Sequence, residues 1–271
     1  MSMNEGYFSL KNKSAIVTGA LGLLGMQHCF ALKEAGASII VCDQDENKCK
    51  QFASELENNS IGVGVNITEH SSVKNLLKTV QDNFESIDVL VNNAAVNDKF
   101  ENADIALELS KFENYPLELW ESSLKVNITG MFICCQVIGS EMAGRKSGSI
   151  INISSTYGIV APDQSLYRDK KGAQHFYKTA SYPTTKGAVI SFTKFLASYW
   201  GNKGVRVNAL SPGGVENCQE QFFVENYSCR TPLGRMANSS DYKGSIIFLA
   251  SDASKYMTGA NLVVDGGFTI W

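Results

Sequence analysis

The stretch Thr18-Gly19-Ala20-Leu21-Gly22-Leu23-Leu24-Gly25 decides the fold of this chain. A short apolar run, Ser14–Thr18, precedes it, and an apolar run that continues to Leu32 follows it. Glycines are needed in such a turn because a side chain would hold the backbone away from a pyrophosphate, while the start of a helix offers free amide groups and a favourable dipole. The stretch therefore predicts a strand, a phosphate-binding turn and a helix.

Short β-rich runs alternate with helical patterns along the whole chain. Such alternation is typical of βαβ units and a parallel sheet. We predict seven strands: Ser14–Thr18, Ser38–Asp43, Ile61–Asn66, Ile87–Asn92, Ser149–Ser154, Arg206–Ser211 and Asn261–Asp265. The expected fold class is α/β, with a Rossmann-like doubly wound seven-stranded parallel sheet in a three-layer α/β/α arrangement. We expect one domain over residues 1–271.

The composition argues against several classes of protein. The chain has 271 residues, of which 44% are hydrophobic and 19% charged, as in an ordinary globular protein. Its net charge is −3 and its basic residues are scattered, so we expect no nucleic-acid binding. The seven cysteines show no zinc spacing, so we expect reduced thiols, no metal and a cytoplasmic protein. No run approaches the roughly 20 apolar residues that span a bilayer, so we expect no membrane association.

Asp43 ends the second predicted strand, downstream of the glycine turn. A carboxylate at this point accepts hydrogen bonds from a ribose diol and repels a 2′-phosphate. Neither the turn nor Gln44 supplies a basic group for that phosphate. The sequence therefore favours NAD(H) over NADP(H).

Tyr182 and Lys186 are one turn apart on a predicted helix with a buried apolar side. An adjacent ammonium favours a phenolate, so we expect Lys186 to lower the pKa of Tyr182 toward the working range of an acid/base group. Hydride transfer to a ketone leaves an alkoxide that needs a proton, which Tyr182 can supply. Ser155, at the end of the fifth strand, can hydrogen-bond the substrate oxygen.

A second Tyr-x-x-x-Lys pair, Tyr167 and Lys171, competes for the same assignment. Gly172 and a polar stretch follow it without a sustained helical pattern, so we expect nothing there to hold the pair rigidly. We therefore predict that Tyr182, and not Tyr167, is the acid/base residue.

Further motifs follow one another in a fixed order: Asn92-Asn93-Ala94-Ala95, Asn127, Ile153-Ser154-Ser155, Tyr182-x-x-x-Lys186, Pro212-Gly213, Pro232-Leu233-Gly234-Arg235, Thr258-Gly259 and Val264-Asp265-Gly266-Gly267. Together with the glycine turn they resemble the short-chain dehydrogenase/reductase family over essentially the whole chain. The resemblance implies that Asn127, Ser155, Tyr182 and Lys186 form the catalytic set, with Lys186 on the nicotinamide ribose and Asn127 anchoring a proton-relaying water. It also implies a set of cofactor contacts: Gly19, Gly22, Leu23, Leu24, Asp43, Asn66, Ile67, Asn93, Ala94, Tyr182, Lys186, Pro212, Gly213 and Val215.

The chain departs from the usual family pattern at several single positions. The middle glycine is Gly22, with Leu23 where short members carry glycine; Asn66 replaces an aspartate that meets adenine; and Asn217 replaces a threonine after Pro212-Gly213.

Two segments that flank the expected cleft, about 97–118 and 157–181, are longer than in ordinary members of the family. Long loops in compact domains are usually functional, so we expect substrate contacts here, with Tyr157 and His175 joining Ser155 and Tyr182. The second segment resembles that of short-chain reductases in bacterial cell-surface sugar and flagellin-modification pathways. Between Ala161 and Ser181 basic residues outnumber acidic ones, which favours an anionic substrate, although 98–118 is acidic.

The leading functional hypothesis is an NAD-dependent oxidoreductase that interconverts an alcohol and a ketone on a polar, carbohydrate-derived small molecule. One alternative is a ketoacyl-thioester reductase, against which Asp43 counts because such enzymes usually prefer NADPH. Another is a catalytically idle NAD-binding regulator, against which the complete catalytic set counts. The family usually forms tetramers, and an apolar tail of Phe268, Ile270 and Trp271 would be costly to expose, so we expect a homotetramer or a dimer.

Overall fold

The computed structural model describes residues 6–98 and 103–271. Its sheet has seven parallel strands in the order β3-β2-β1-β4-β5-β6-β7. Their bounds are β1 Ser14–Thr18, β2 Ser38–Asp43, β3 Ile61–Gly64, β4 Val89–Asn92, β5 Gly148–Ile153, β6 Val205–Pro212 and β7 Asn261–Val264. The predicted fold class is confirmed, and the strand bounds differ from the prediction by at most two residues.

The third strand is shorter than predicted for a local reason. The Asn66 side-chain oxygen accepts hydrogen bonds from the backbone nitrogen and hydroxyl of Thr68, 3.1 and 2.9 Å away. This turn bends the chain away from the sheet just after Val65, so Asn66 lies outside the strand.

Helices cover both faces of the sheet. They are α1 Leu23–Glu34, α2 Glu46–Leu56, α3 His70–Asn83, α4 Ala103–Ser110, α5 Leu117–Leu124, α6 Met131–Cys134, α7 Ser140–Arg145, α8 Ser181–Trp200, α9 Gln221–Cys229 and α10 Lys243–Ala250. Alternate residues of β1 point into different cores: Ile16 joins one buried cluster, and Ala15 and Val17 join the other. This is the packing expected when a parallel sheet is buried on both faces.

Helices α5, α6 and α7 form one helical stretch, Leu117–Arg145, joined by π-helical turns at Lys125–Gly130 and Cys135–Gly139. By length and composition alone this stretch could cross a membrane, which the sequence analysis did not anticipate. In the fold, 61% of the most apolar 18-residue part of this stretch is buried, as in the core helix of a soluble protein.

The order of the strands changes direction at β1: β2 and β3 follow on one side of it, and β4 to β7 on the other. In doubly wound sheets, ligands bind in the crevice beyond the carboxyl ends of the strands at such a reversal. The residues after β1, β4, β5 and β6 therefore border the expected ligand crevice.

Candidate active site

The glycine turn is shaped by close contacts that leave no room for side chains. Gly19 has a φ of +60°, and a Cβ there would lie 2.6 Å from the Cα of Ala94. A Cβ on Gly25 would lie 2.1 Å from the carbonyl oxygen of Gly19, so α1 could not approach the turn. Helix α1 begins after Gly22 with no side-chain cap. Its first amide groups are therefore suited to a phosphate, as expected.

Asp43 is held in a fixed orientation at the end of β2. Its Oδ2 accepts a hydrogen bond from the backbone nitrogen of Leu21, 3.1 Å away, and its Oδ1 accepts one from that of Gln44, 2.8 Å away. These bonds tie the carboxylate to the glycine turn, beside a cavity of about 410 Å³.

The walls of this first cavity include most of the residues near the glycine turn that the sequence predicted to contact the cofactor. Its walls are Gly19, Gly22, Leu23, Leu24, Cys42, Asp43, Gln44, Val65, Ile67, Thr68, Asn93, Ala94, Ala95, Val96 and Val126. Asn66 is not among them. Its amide nitrogen donates to Glu69 Oε1, 2.8 Å away, and its oxygen is used by Thr68. The position of Asn66 thus does not support the expected adenine contact. Thr68, which the sequence did not suggest, lines the cavity instead.

A second cavity, of about 480 Å³, shares five wall residues with the first: Leu23, Leu24, Asn93, Ala95 and Val96. The two cavities therefore form one continuous cleft. The second one brings together seven further predicted site residues: Ser155, Tyr157, Tyr182, Lys186, Pro212, Gly213 and Val215. The glycine turn and Asp43 thus lie in the same cleft as Ser155, Tyr182 and Lys186.

Lys186 is buried, and its Nζ donates to the carbonyl oxygen of Ile153, 2.8 Å away. Burial lowers its pKa to about 8. Its Nζ lies 5.7 Å from the centroid of the Tyr182 ring.

The pKa of Tyr182 is raised by burial, and a hydrogen bond with Ser155 opposes that increase. The structure therefore does not support the expectation that Lys186 lowers the phenol pKa, because burial and the hydrogen bond with Ser155 are the effects that act on it. Ser155 is itself buried and caps the turn Thr156–Gly158, its Oγ accepting from the backbone nitrogen of Tyr157 at 3.2 Å.

Asn127 lies in the first π-helical turn and is buried behind the cleft wall. Its side-chain oxygen accepts from the backbone nitrogen of Val96 at 2.8 Å. Its amide nitrogen donates to the carbonyl oxygen of Val96 at 3.0 Å and to the hydroxyl of Thr185 at 3.2 Å. The side chain thus joins the irregular segment that follows β4 to helix α8. Its expected part in a proton route stays a prediction.

His175 does not line the cleft. Its side chain is 52% exposed, its Nε2 lies 3.0 Å from Asp169 Oδ2, and its ring packs on Phe222. The position of His175 therefore does not support the predicted substrate contact, because a hydrogen bond with Asp169 on the surface holds its ring.

Tyr157 and Tyr167 both line the cleft. The hydroxyl of Tyr157 is enclosed and makes no hydrogen bond of ordinary geometry with the described residues, so its ring supplies the wall. Tyr167 packs between Phe176 and Phe223, with ring centroids 5.4 and 5.0 Å away. The ring of Tyr167 is therefore held in place, although the sequence predicted that nothing would hold the Tyr167–Lys171 pair rigidly. Lys171 is exposed, however, and the cleft brings only the Tyr182–Lys186 pair together.

The second long segment is ordered rather than an open loop. It contains the 3-10 turn Gln164–Tyr167 and an antiparallel bridge between Arg168 and Gln174. The first long segment, about 97–118, lies partly outside the described residues, at 99–102. Its described part includes α4 and Asp98, a cleft residue that the sequence analysis did not single out.

The described residues contain no group of three or more His, Cys, Asp or Glu side chains placed to hold a metal ion. The cysteines of the chain are all free thiols, and five are buried.

Comparison with known proteins agrees with this geometry. A family model described as "Enoyl-(Acyl carrier protein) reductase" matches residues 19–269. The NAD-dependent glycerol dehydrogenase of Listeria innocua is 29% identical, over 97% of this chain and 96% of its own. A 3-oxoacyl-[acyl-carrier-protein] reductase of Synechocystis is 33% identical, over 97% of this chain and 99% of its own.

A gluconate 5-dehydrogenase from Burkholderia cenocepacia, solved in complex with NADP and tartrate, superimposes with a TM-score of 0.85. It is 29% identical and covers 98% of each chain. Fold, ordered motifs and these matches lead to one conclusion: the chain belongs to the short-chain dehydrogenase/reductase family.

Proposed function

We propose that the protein is an NAD(H)-dependent dehydrogenase that interconverts a secondary alcohol and a ketone on a polyhydroxylated small molecule. The observation that supports it best is the continuous cleft from Asp43, past the uncapped start of α1, to Tyr182, Ser155 and Lys186. The glycerol and gluconate dehydrogenase relatives favour a polyol or sugar-derived substrate.

The residues of the cleft fit a nicotinamide dinucleotide. The close approach of Gly19 to Ala94 leaves backbone rather than side chain at the phosphate position, and the Asp43 carboxylate faces the place of a ribose diol. When bound, the cofactor supplies the acceptor or donor of the hydride. Lys186 would hold the ribose next to it.

The chain itself would move the proton. In alcohol oxidation, the carbinol C–H bond breaks as its electron pair leaves with the hydride, and the hydroxyl proton passes to Tyr182 in its phenolate form, after the phenol has first released its own proton to solvent. In ketone reduction, Tyr182 returns a proton to the alkoxide oxygen while Ser155 donates a hydrogen bond to that oxygen. A tyrosine whose pKa is raised by burial is neutral in the free chain, so it is ready to donate in the reductive direction.

Carbonyl reduction on a carrier-bound ketoacyl thioester is the second candidate, because the reductase of Synechocystis is similar over nearly its whole length. Both reactions use the same proton chemistry, so the substrate and the cofactor must decide between them. The narrower expectation of a cell-surface sugar or flagellin-modification pathway stays a prediction, as does a cytoplasmic location.

A substrate screen tests the proposal. Wild-type enzyme is incubated with NAD or NADP and a panel of polyols, sugar acids and sugar phosphates, and, in reverse, with NADH or NADPH and a ketoacyl thioester. The absorbance of the reduced nicotinamide is followed. We expect turnover with NAD and at least one polyhydroxylated alcohol; turnover confined to the thioester with NADPH would favour the second candidate.

The cofactor preference has its own test. Replacing Asp43 with Ala and Gln44 with Arg exchanges a repelling carboxylate for a phosphate ligand, so kcat/KM for NADP relative to NAD should rise by about 10- to 100-fold. Glu46→Gln, an exposed acid on α2, is the control and should leave the ratio unchanged. Wild-type enzyme that prefers NADP would contradict the assignment.

A further inference from the structure

The segment 161–181 brings one cation, Lys178, into the cleft. Its other charged side chains are engaged outside the cleft: Lys170 pairs with Glu225, Asp169 with His175 and Asp163 with Arg230, while Arg168 donates to Gln174 and Lys171 is exposed. The excess of positive charge in this segment therefore reaches the cleft only at Lys178.

Lys178 lies directly beside the reacting groups. Its Nζ is 4.1 Å from the centroid of the Tyr182 ring and donates to Asn97 Oδ1 at 2.6 Å. Within the described residues, no carboxylate oxygen lies within 4.0 Å of this ammonium. Two of its three N–H groups are left for another acceptor.

The nearest acid of the cleft wall, Asp98, is already committed. Its Oδ2 accepts from the hydroxyls of Tyr115, Thr179 and Ser181 at 2.6, 2.6 and 3.0 Å. It therefore moderates the local charge without pairing with Lys178. The wall of the second cavity carries the cations Lys178 and Lys186 against this one carboxylate.

Lys178 is half-buried, so its ammonium is partly withdrawn from water at some cost in free energy. This partial burial lowers the pKa of Lys178 to about 8, with Asp98 opposing the decrease and Lys186 adding to it. A negatively charged ligand would remove that cost, because a charge withdrawn from water is stabilised by a close partner of opposite sign.

We propose that Lys178 selects the substrate by binding an anionic group, a carboxylate or a phosphate, that lies close to the carbon oxidised at Tyr182. The inference rests on the proposed function and narrows its substrate to polyhydroxy acids or sugar phosphates. Because Lys178 and Tyr182 are in contact, the anionic group and the reacting carbon must be separated by only a few bonds.

The test compares Lys178→Met, which keeps the apolar stem, with Lys171→Met, which removes an exposed cation from the same segment. Matched substrates are a polyhydroxy acid, the corresponding sugar phosphate and the neutral polyol of the same length. We expect Lys178→Met to raise KM for the acid or the phosphate by about 10- to 100-fold while KM for the neutral polyol and for NADH changes little. Lys178→Arg should recover part of the loss, and Lys171→Met should behave as wild type.

A binding measurement makes the test independent of turnover. Malonate should raise the Tm of the NADH complex of the wild type and of Lys171→Met, and should have much less effect on Lys178→Met. Equal losses for neutral and anionic substrates, or an unchanged malonate effect in Lys178→Met, would overturn the inference and leave the proposed dehydrogenase intact. If no alcohol of any class were oxidised, the proposed function would fail, and malonate would still decide whether Lys178 binds anions.

Discussion

Two lysine side chains lie close to the ring of Tyr182. Lys178 Nζ is 4.1 Å and Lys186 Nζ 5.7 Å from the centroid of its ring. Burial raises the pKa of the phenol, whereas nearby positive charge favours the phenolate.

His28, which lines neither cavity of the cleft, is a second residue whose surroundings change its pKa. It is fully buried in α1, neither ring nitrogen finds a hydrogen-bond partner in the described residues, and burial lowers its pKa to about 4 from 6.5. Above pH 6.5 the ring is neutral in folded and unfolded chains alike. As pH falls from 6.5 toward 4, only the unfolded chain takes up the proton, so stability is lost over that window.

Between pH 7.5 and pH 5, His28 should lower the free energy of unfolding by about 2 kcal/mol. The reason is that His28 in the unfolded chain takes up its proton about 1.5 pH units above pH 5, whereas in the folded chain it is still neutral there. Urea unfolding at the two pH values measures it. His28→Leu should reduce the difference between them by that amount, whereas His70→Gln, at an exposed position, should not. Equal pH dependence in wild type and His28→Leu would contradict the prediction.

The sequence allowed the residues of the site to be predicted where chain-local patterns specify them. The Tyr182–Lys186 spacing and the strand-end position of Asp43 are such patterns. Asp98 and Lys178 were not singled out because their roles depend on contacts between residues far apart in the sequence. Thr179 and Asp98, for example, are 81 residues apart. His175 looked equally well placed, yet its position in the loop said nothing about which way its ring points.

At the level of elements, the two long segments are joined by the Asp98 carboxylate. It binds Tyr115 from the first segment together with Thr179 and Ser181, which lead into α8. Tyr182 is the next residue of that helix. The sequence predicted both segments as substrate-facing, but no periodic pattern indicated that they would pack on each other.

Asp98→Ala should therefore loosen the start of α8. Removing a charged acceptor from three hydroxyls should cost about 2 to 4 kcal/mol of unfolding free energy. It should also reduce kcat while leaving the Kd of NADH near that of wild type, because the glycine turn is untouched. Urea unfolding, NADH titration and steady-state kinetics measure these effects, with Glu113→Ala at an exposed position as control. An unchanged kcat would show that this carboxylate does not position Tyr182.

At the level of the whole molecule, apolar side chains remain exposed on one helical surface and at the tail. Phe195 and Tyr199 of α8 are each 60% exposed and stack on each other, and Ile270 and Trp271 are 72% and 78% exposed. Phe268, expected to belong to this exposed tail, is buried and stacks on Tyr227 at 4.5 Å. Exposed aromatic surface of this kind is typical of a contact between subunits.

We expect a homotetramer or a dimer, measured by sedimentation at micromolar concentration. Phe195→Asp combined with Tyr199→Asp should shift the protein toward smaller species, because the charges would be buried in the contact. Phe112→Asp, at an 80% exposed position in the first long segment, is the matched control. A wild-type monomer at that concentration would refute the assembly.

The central claim is that Tyr182 transfers the proton in a nicotinamide-dependent reaction, and Tyr182→Phe tests it most directly. The substitution removes one hydroxyl and keeps the ring, so NADH should bind with near wild-type affinity while kcat falls by about 100- to 10,000-fold. Tyr167→Phe, in the same cleft, should stay within a few-fold of the wild-type kcat. Near-normal turnover in Tyr182→Phe together with a collapse in Tyr167→Phe would contradict the account.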